Sequence, residues 1–261
     1  MKVELDIRKT AQENAAAYYE EAKKLRAKSG GAEKAAKDME KRIAELEKQI
    51  EKETKEAAER GKVREKKEKE WFERFRWFRS EGGRLCVAGR DARQNEILVS
   101  SHLEKGDLFF HAEIHGAPAT ILKGGQEATE EELLGAAQFA GSYSSAWKEG
   151  YTVVDVYAVS PEKVSKRAES GEALGKGGFI IRGERKWFRS TELGLIVGVG
   201  GKGVEAAPVR RGKGEMKVSV EVRPGGKEKG EAAKMIAKKL GEAASADEIL
   251  QALPSGKFEL K

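Results

Sequence analysis

The chain has 261 residues, a formal net charge of +6, 39% hydrophobic and 36% charged residues, which suits one sizeable domain plus an appendage of solvated helix. A single cysteine, Cys86, excludes a disulfide framework and a cysteine-built metal cluster, and no apolar run approaches the roughly 20 residues that a membrane span needs. The opening MKVELDIRKT lacks the apolar core of a signal peptide, so a cytoplasmic protein with no membrane partner is expected.

Residues 11–69 are rich in Ala, Glu and Lys and contain no Pro, a helix-favouring composition. Met39, Ile43, Leu46 and Ile50 follow a 4-3-4 spacing, and Ala32, Ala36 and Ala57 extend the frame into a coiled-coil seam. SGG at 29–31 interrupts it at about 1 kcal/mol per glycine, favouring an antiparallel hairpin there over one long helix. In EWFERFRWFRSEGG, Trp71, Phe75 and Phe78 fall on one helix face at i, i+4, i+7. That spacing favours core packing, as a hinge between arm and body, over stacking on bases.

From Arg84 the period changes to strands: RLCVAG, EILVS, DLFFHAE, ATILK, TVVDVYAVS, GGFIIRG and ELGLIVGVG. RLCVAG and EILVS read as a hairpin whose tip carries Arg90, Asp91, Arg93 and Asn95, with Asp91 and Asn95 bonding local amides. One helix, from about Glu130 to Lys148, opens on a capping box of Thr129 with Glu132. GGKGVEAAPVRRGKGE reads as a basic linker. A small tail then runs strand KVSVEV, helix Glu228 to Leu240, a short helix capped by Ser245 with Glu248, and strand KFEL. The fold class is α+β: an N-terminal coiled-coil arm (1–70), a mostly antiparallel sheet domain with one main helix (71–200), and a basic linker with a small C-terminal α/β extension (201–261) that packs on the body.

Positive charge is concentrated in residues 161–229, which hold 16 Lys and Arg against 9 Glu, a surplus of +7 that leaves −1 for the rest of the chain. Such a field suits a phosphate backbone. Two enzyme readings compete. GVGGKG, Gly198 to Gly203, matches a dinucleotide fingerprint with Glu221 on a later strand, but Pro208, Gly212 and Gly214 interrupt the helix that must follow it. SGEALGKG at 170–177 departs from a phosphate-binding loop at Ser170 and Gly177. His102, His111 and His115 with Asp107 and Glu113 invite a metal, yet His111 and His115 sit four apart on a strand rather than on one helix face. The expectation is therefore a binding protein with no catalytic residue, metal or cofactor; the rival is an RNA-processing or nucleotide-binding enzyme using Gly198–Gly203 or the histidines.

WFERFRWFRSEGGRLCVAGRDARQNEILV, GDLFFHAEIHGAPATIL, AAQFAGSYSSAWKEG and VSKRAESGEALGKGGFIIRGERKWF together resemble the NFACT-R RNA-binding module of the NFACT family, and LDIRKTAQENAAAYYEEAKKLRAKSGGAEKA resembles the coiled-coil arm before it. The resemblance implies the C-terminal part of an archaeal-type ribosome quality control factor. Its implied partners are large-subunit ribosomal RNA, tRNA, a separately encoded N-terminal half, and a second copy through the arm. Together with the basic surplus it marks Arg90, Arg93, Lys166, Arg182, Arg185 and Lys186 for phosphate contacts, with Asp91 and Asn95 building the turn and His111 and His115 lining the same face. Ala88 departs from the family's usual Gly, and Arg167 and Glu169 from its usual Thr and Pro.

Overall fold

A computed structural model describes residues 4–8, 10–61, 70–165, 177–211, 214, 216, 218–241 and 244–261. The chain divides into two units, Met1–Glu68 and Lys69–Lys261. In the first, one helix, α1, spans Ala11–Gly61. Its start is locked by reciprocal hydrogen bonds: the Thr10 amide donates to Glu13 Oε2 (2.7 Å), and the Glu13 amide to Thr10 Oγ1 (3.3 Å). The expected hairpin at 29–31 is not formed, because α1 runs straight through Gly30 and Gly31. Breaking the helix there would orphan four amides and four carbonyls and demand a second costly nucleus, more than two glycines cost. At 1.5 Å per residue α1 is about 76 Å long. Met39, Ile43 and Leu46 of the seam are exposed within this chain.

The second unit is built on a six-stranded sheet. In chain order its elements begin β1 (Arg76–Arg79), β2 (Leu85–Ala88), α2 (Ala92–His102), β3 (Leu108–Ala112) and β4 (Thr120–Leu122). There follow α3 (Glu130–Ser142), α4 (Ser145–Lys148), β5 (Val153–Val159), the short β6 (Val164–Ser165) and β7 (Ile180–Ile181), and β8 (Lys186–Glu192). The strand order is β1-β2-β4-β3-β5-β8, and every pairing is antiparallel. β9 (Leu195–Gly200), β10 (Gly203–Pro208), β11 (Ser219–Lys227) and β12 (Phe258–Leu260) form a second, four-stranded sheet, with α5 (Lys229–Leu240) and α6 (Ala246–Ala252) between its last two strands.

Strand alternation sorts the core. Cys86, Ala88, Phe110, Leu122 and Phe188 face one way, onto α3 and the second sheet, where they pack with Phe139, Trp147, Leu195, Val222, Ile236 and Phe258. Leu85, Val87 and Ile121 face the other way, against Leu98 of α2 and Phe72 and Phe75. Phe109, Tyr157 and Val159 continue that second face toward β6 and β7. The small residues Ala136, Ala137, Ala140 and Gly141 bring α3 close to the sheet, and the expected capping box of Thr129 with Glu132 is present.

Further readings of the sequence change. The helix expected from Glu130 to about Lys148 is broken at Tyr143 and Ser144 into α3 and α4, with Ser144 capping the second. Glu96–Ser100 belongs to α2, not to a strand. Trp71, Phe75 and Phe78 do not share a helix: a 3-10 turn at Trp71–Arg74 leads into β1, so Phe75 and Phe78 enter different clusters while Trp71 stacks on His102 (3.9 Å between ring centroids). Residues 203–208 are strand β10, paired with β9, so the expected linker is instead an edge of the second sheet. The tail elements form as read from the sequence, and their apolar faces join the main core.

Candidate nucleic-acid interface

At one end of the six-stranded sheet β1 begins, β2 leaves and β3 turns toward β4. A cavity of about 540 Å³ opens there and runs onto the α2 face. Arg90, Asp91, Asn95, His111 and His115, separated by up to 25 residues in sequence, all line it. Asp91 is the N-cap of α2, its Oδ1 accepting from the Gln94 amide at 2.8 Å. Asn95 works at longer range than a local turn: its Oδ1 accepts from the Ala119 amide at 3.1 Å and ties α2 to the start of β4. A Cβ on residue 89 would lie 2.1 Å from Asn95 Oδ1 and 2.8 Å from the Asn95 backbone nitrogen, so only Gly fits position 89.

Arg90 spends its guanidinium inward. It donates to the carbonyls of Arg74 (3.3 Å), Phe75 (3.2 Å) and Gln251 (2.9 Å), so it clamps the chain entering β1 and the end of α6. Arg76, a residue the sequence reading passed over, forms the cavity's rear wall. Its Nη1 donates to the Gly89 carbonyl (3.0 Å), its Cζ lies 4.5 Å from the Tyr143 ring centroid, and its buried Nε has no hydrogen-bond partner. Burial lowers its pKa, though a guanidinium stays charged. Lys229 donates to the Leu253 carbonyl (3.0 Å); burial, then the charges of Arg76 and Arg90, press its pKa down. Among the described residues no carboxylate forms an ion pair with any of these three cations.

Aromatic groups supply the other walls: Phe109, Tyr157 and Phe179, with His111 between them. Burial holds the His111 imidazole below its ordinary value, against hydrogen bonds to the Ala112 and Ala117 backbone and the charge of Glu113. It is therefore a neutral ring at pH 7. His111, Tyr157 and Trp187 are cross-strand neighbours on β3, β5 and β8.

Residues 74–183 match the family model described as NFACT protein RNA binding domain. The archaeal Rqc2 homolog aRqcH of Methanocaldococcus jannaschii is 44% identical over 197 residues, covering 73% of this chain and 29% of the relative. The chain is an NFACT/RqcH-like protein. The ribosome quality control complex subunit NEMF of Homo sapiens is 37% identical over 153 residues, 58% of this chain and 14% of that protein. The chain thus spans less than a third of the length of these curated relatives. A solved chain, the C-terminal of the fibronectin/fibrinogen-binding protein from Streptococcus suis, aligns over 49% of each chain at 26% identity with a TM-score of 0.39.

The remaining marked residues of this NFACT-R domain scatter. Arg185 lies outside the cavity lining, stacked over Tyr157 (4.4 Å) and paired with Glu113 (3.3 Å). Arg189, unmarked by the sequence reading, lies over Trp187 (3.9 Å) and binds Asp155 (2.6 Å), which continues the aromatic-guanidinium row along β8. Arg93 is exposed on the first turn of α2, and Arg182 is exposed just after β7. Lys186 points to the opposite face of the sheet, where it pairs with Glu130 at 2.8 Å. Lys166 lies outside the described residues. Gly198–Gly203, the dinucleotide candidate, is the β9–β10 hairpin: Gly200 pairs with Gly203 and a strand follows, leaving no helix N-terminus to meet a pyrophosphate. Among the described residues no group of three or more His, Cys, Asp or Glu side chains is arranged to hold a metal, and no helix is long and apolar enough to cross a membrane.

Proposed function

We propose that this protein binds RNA in ribosome quality control, docking on the large ribosomal subunit and tRNA, and that it acts by binding rather than by catalysis. The NFACT-R match over residues 74–183 and relatives whose names place them in ribosome quality control support the role. The observation that carries the binding mode is the pair of cations Arg76 and Arg90, backed by Lys229 behind the lining, which forms no ion pair with an acid among the described residues and faces a cavity walled by aromatic rings. A polyanion with stackable faces suits both halves of that lining.

The arm braces the body against its partner. Met39, Ile43 and Leu46 form an uncovered apolar seam, which supports pairing with a second helix, from another copy or from a separately encoded N-terminal half. RNA binding measured from about 50 to 300 mM salt tests the central claim. Affinity should fall linearly on a log-log plot, with a slope of about −0.7 per phosphate contact on single strands. Affinity that is weak and flat across that range removes the reading.

A further inference from the structure

Arg76 sets a problem that the protein alone does not solve. A guanidinium has five N–H donors, and here one hydrogen bond, to Gly89, and one aromatic face, Tyr143, are all that meet it. Its Nε is shut away from solvent without an acceptor. Tyr143 offers no counter-charge: burial pushes its phenol up to about 12, and the hydroxyl donates to the Ala252 carbonyl at 2.7 Å. Arg90 and Lys229 add charge of the same sign nearby, and the Asp91 carboxylate offsets it only from beyond ion-pair distance. Buried charge without a partner is costly, and a structure that keeps it at the wall of an open cavity is preorganised for an anion.

The rest of the cavity says which anion. Its volume of about 540 Å³ falls in the roughly 300–1,000 Å³ range of small-molecule sites, the scale of one nucleotide and far below that of a duplex. Half-buried Phe179 gives a flat apolar wall backed by the buried rings of Phe109 and Tyr157, and neutral His111 gives a ring that can stack or exchange one hydrogen bond with a base edge. Asp91, with one oxygen on the Gln94 amide, brings a carboxylate to the lining, an acceptor suited to sugar hydroxyls and hostile to a second phosphate. We infer that the cavity receives a single nucleotide swung out of a bound RNA strand, its phosphate on Arg76, its ribose toward Asp91 and its base against Phe179 and His111. This deepens the RNA-binding reading and rests on it.

The full chain would be titrated with inorganic phosphate, uridine, uridine 5′-monophosphate and a single-stranded 12-mer RNA carrying one 2-aminopurine. The monophosphate should bind at least ten-fold more tightly than either uridine or phosphate and should compete with the 12-mer. The 2-aminopurine should brighten on binding as it leaves its stack. Arg76→Met should weaken both the monophosphate and the 12-mer about ten-fold and abolish the brightening, while Arg76→Lys should keep part of the affinity. Phe179→Ala, on the opposite wall, should weaken the monophosphate several-fold and provides the test should Arg76→Met fail to fold by near-UV circular dichroism.

If the 12-mer binds wild type well but neither Arg76→Met nor Phe179→Ala changes it, the cavity proposal fails and RNA binding stands elsewhere on the body. If the monophosphate binds through Arg76 but no RNA binds at any salt, the site serves free nucleotides, and both this proposal and the RNA reading fall.

Discussion

The two ends of the six-stranded sheet treat buried charge in opposite ways. At one end, before β3 and after β4, Asp107 is 2% exposed and accepts from Lys123 Nζ (2.7 Å) and from the amides of Glu104 (2.8 Å) and Gly124 (2.9 Å). Beside it Glu132 accepts from Ser80, Arg84 and the Thr129 amide. Every charge there has an answering group within the protein. At the other end Arg76, Arg90 and Lys229 rest on carbonyls and one aromatic face, with no acid paired to them. The contrast separates charges that hold the fold from charges held for something else, since a domain able to satisfy one end so fully has no packing reason to leave the other unsatisfied.

The largest expected effect breaks the satisfied end. Asp107→Ala leaves the Lys123 ammonium and two amides without their acceptor, and urea unfolding should show a loss of about 3–5 kcal/mol. Arg76→Met at the opposite end should cost less than about 1 kcal/mol in the same experiment, because it removes a charge that lacked a partner. Equal losses at the two ends would erase the distinction. Thr129→Ala, which opens the α3 capping box, should cost about 1 kcal/mol with RNA affinity unchanged.

The smallest effects come from pH, and they fall in two windows. His111 has a folded pKa depressed below 6.5, so the unfolded chain takes up its proton first: stability is whole above pH 6.5 and declines below it, by no more than about 1.4 kcal/mol per pH unit. His102, also depressed by burial and by Arg74 and Lys123, adds to the same window. His111→Phe should flatten part of this slope. At the satisfied end, burial opposes the Glu132 charge, but hydrogen bonds from Ser80, the Thr129 amide and Arg84 outweigh it and hold its pKa below 4.5. Its contribution is present above pH 4.5 and is lost as pH falls through the depressed value, so His111→Phe should leave this acid limb in place.

What could be read from sequence was local. Thr129 with Glu132 and Ser245 with Glu248 are capping pairs three residues apart, and both form. DLFFHAE and TVVDVYAVS form strands as read, with both faces buried: Phe110 and Ala158 toward α3, Phe109 and Tyr157 toward β6 and β7. Ile97, Leu98 and Val99 make too short an apolar run to reveal a period, and the β-branched Ile97 and Val99 suggested a strand. The better signal was Asp91 three residues before Gln94, a helix start rather than a turn tip. The site was less legible because it is assembled across the chain. Arg90 reads as a free cation until Gln251, 161 residues on, takes its Nη1. Arg76 had one clue: in β1 it lies two residues before buried Phe78, a charge where alternation calls for an apolar group.

The bond from Arg90 to the Gln251 carbonyl also fixes an order of events. While the chain is being synthesised, the clamp on the rear wall has no terminal partner until α6 has emerged and docked. The body's core strands can pair well before then, so a half-made molecule would present a sheet but not a finished receptor. Competence to engage another molecule would wait for that helix, well after the strands of the six-stranded sheet have been made.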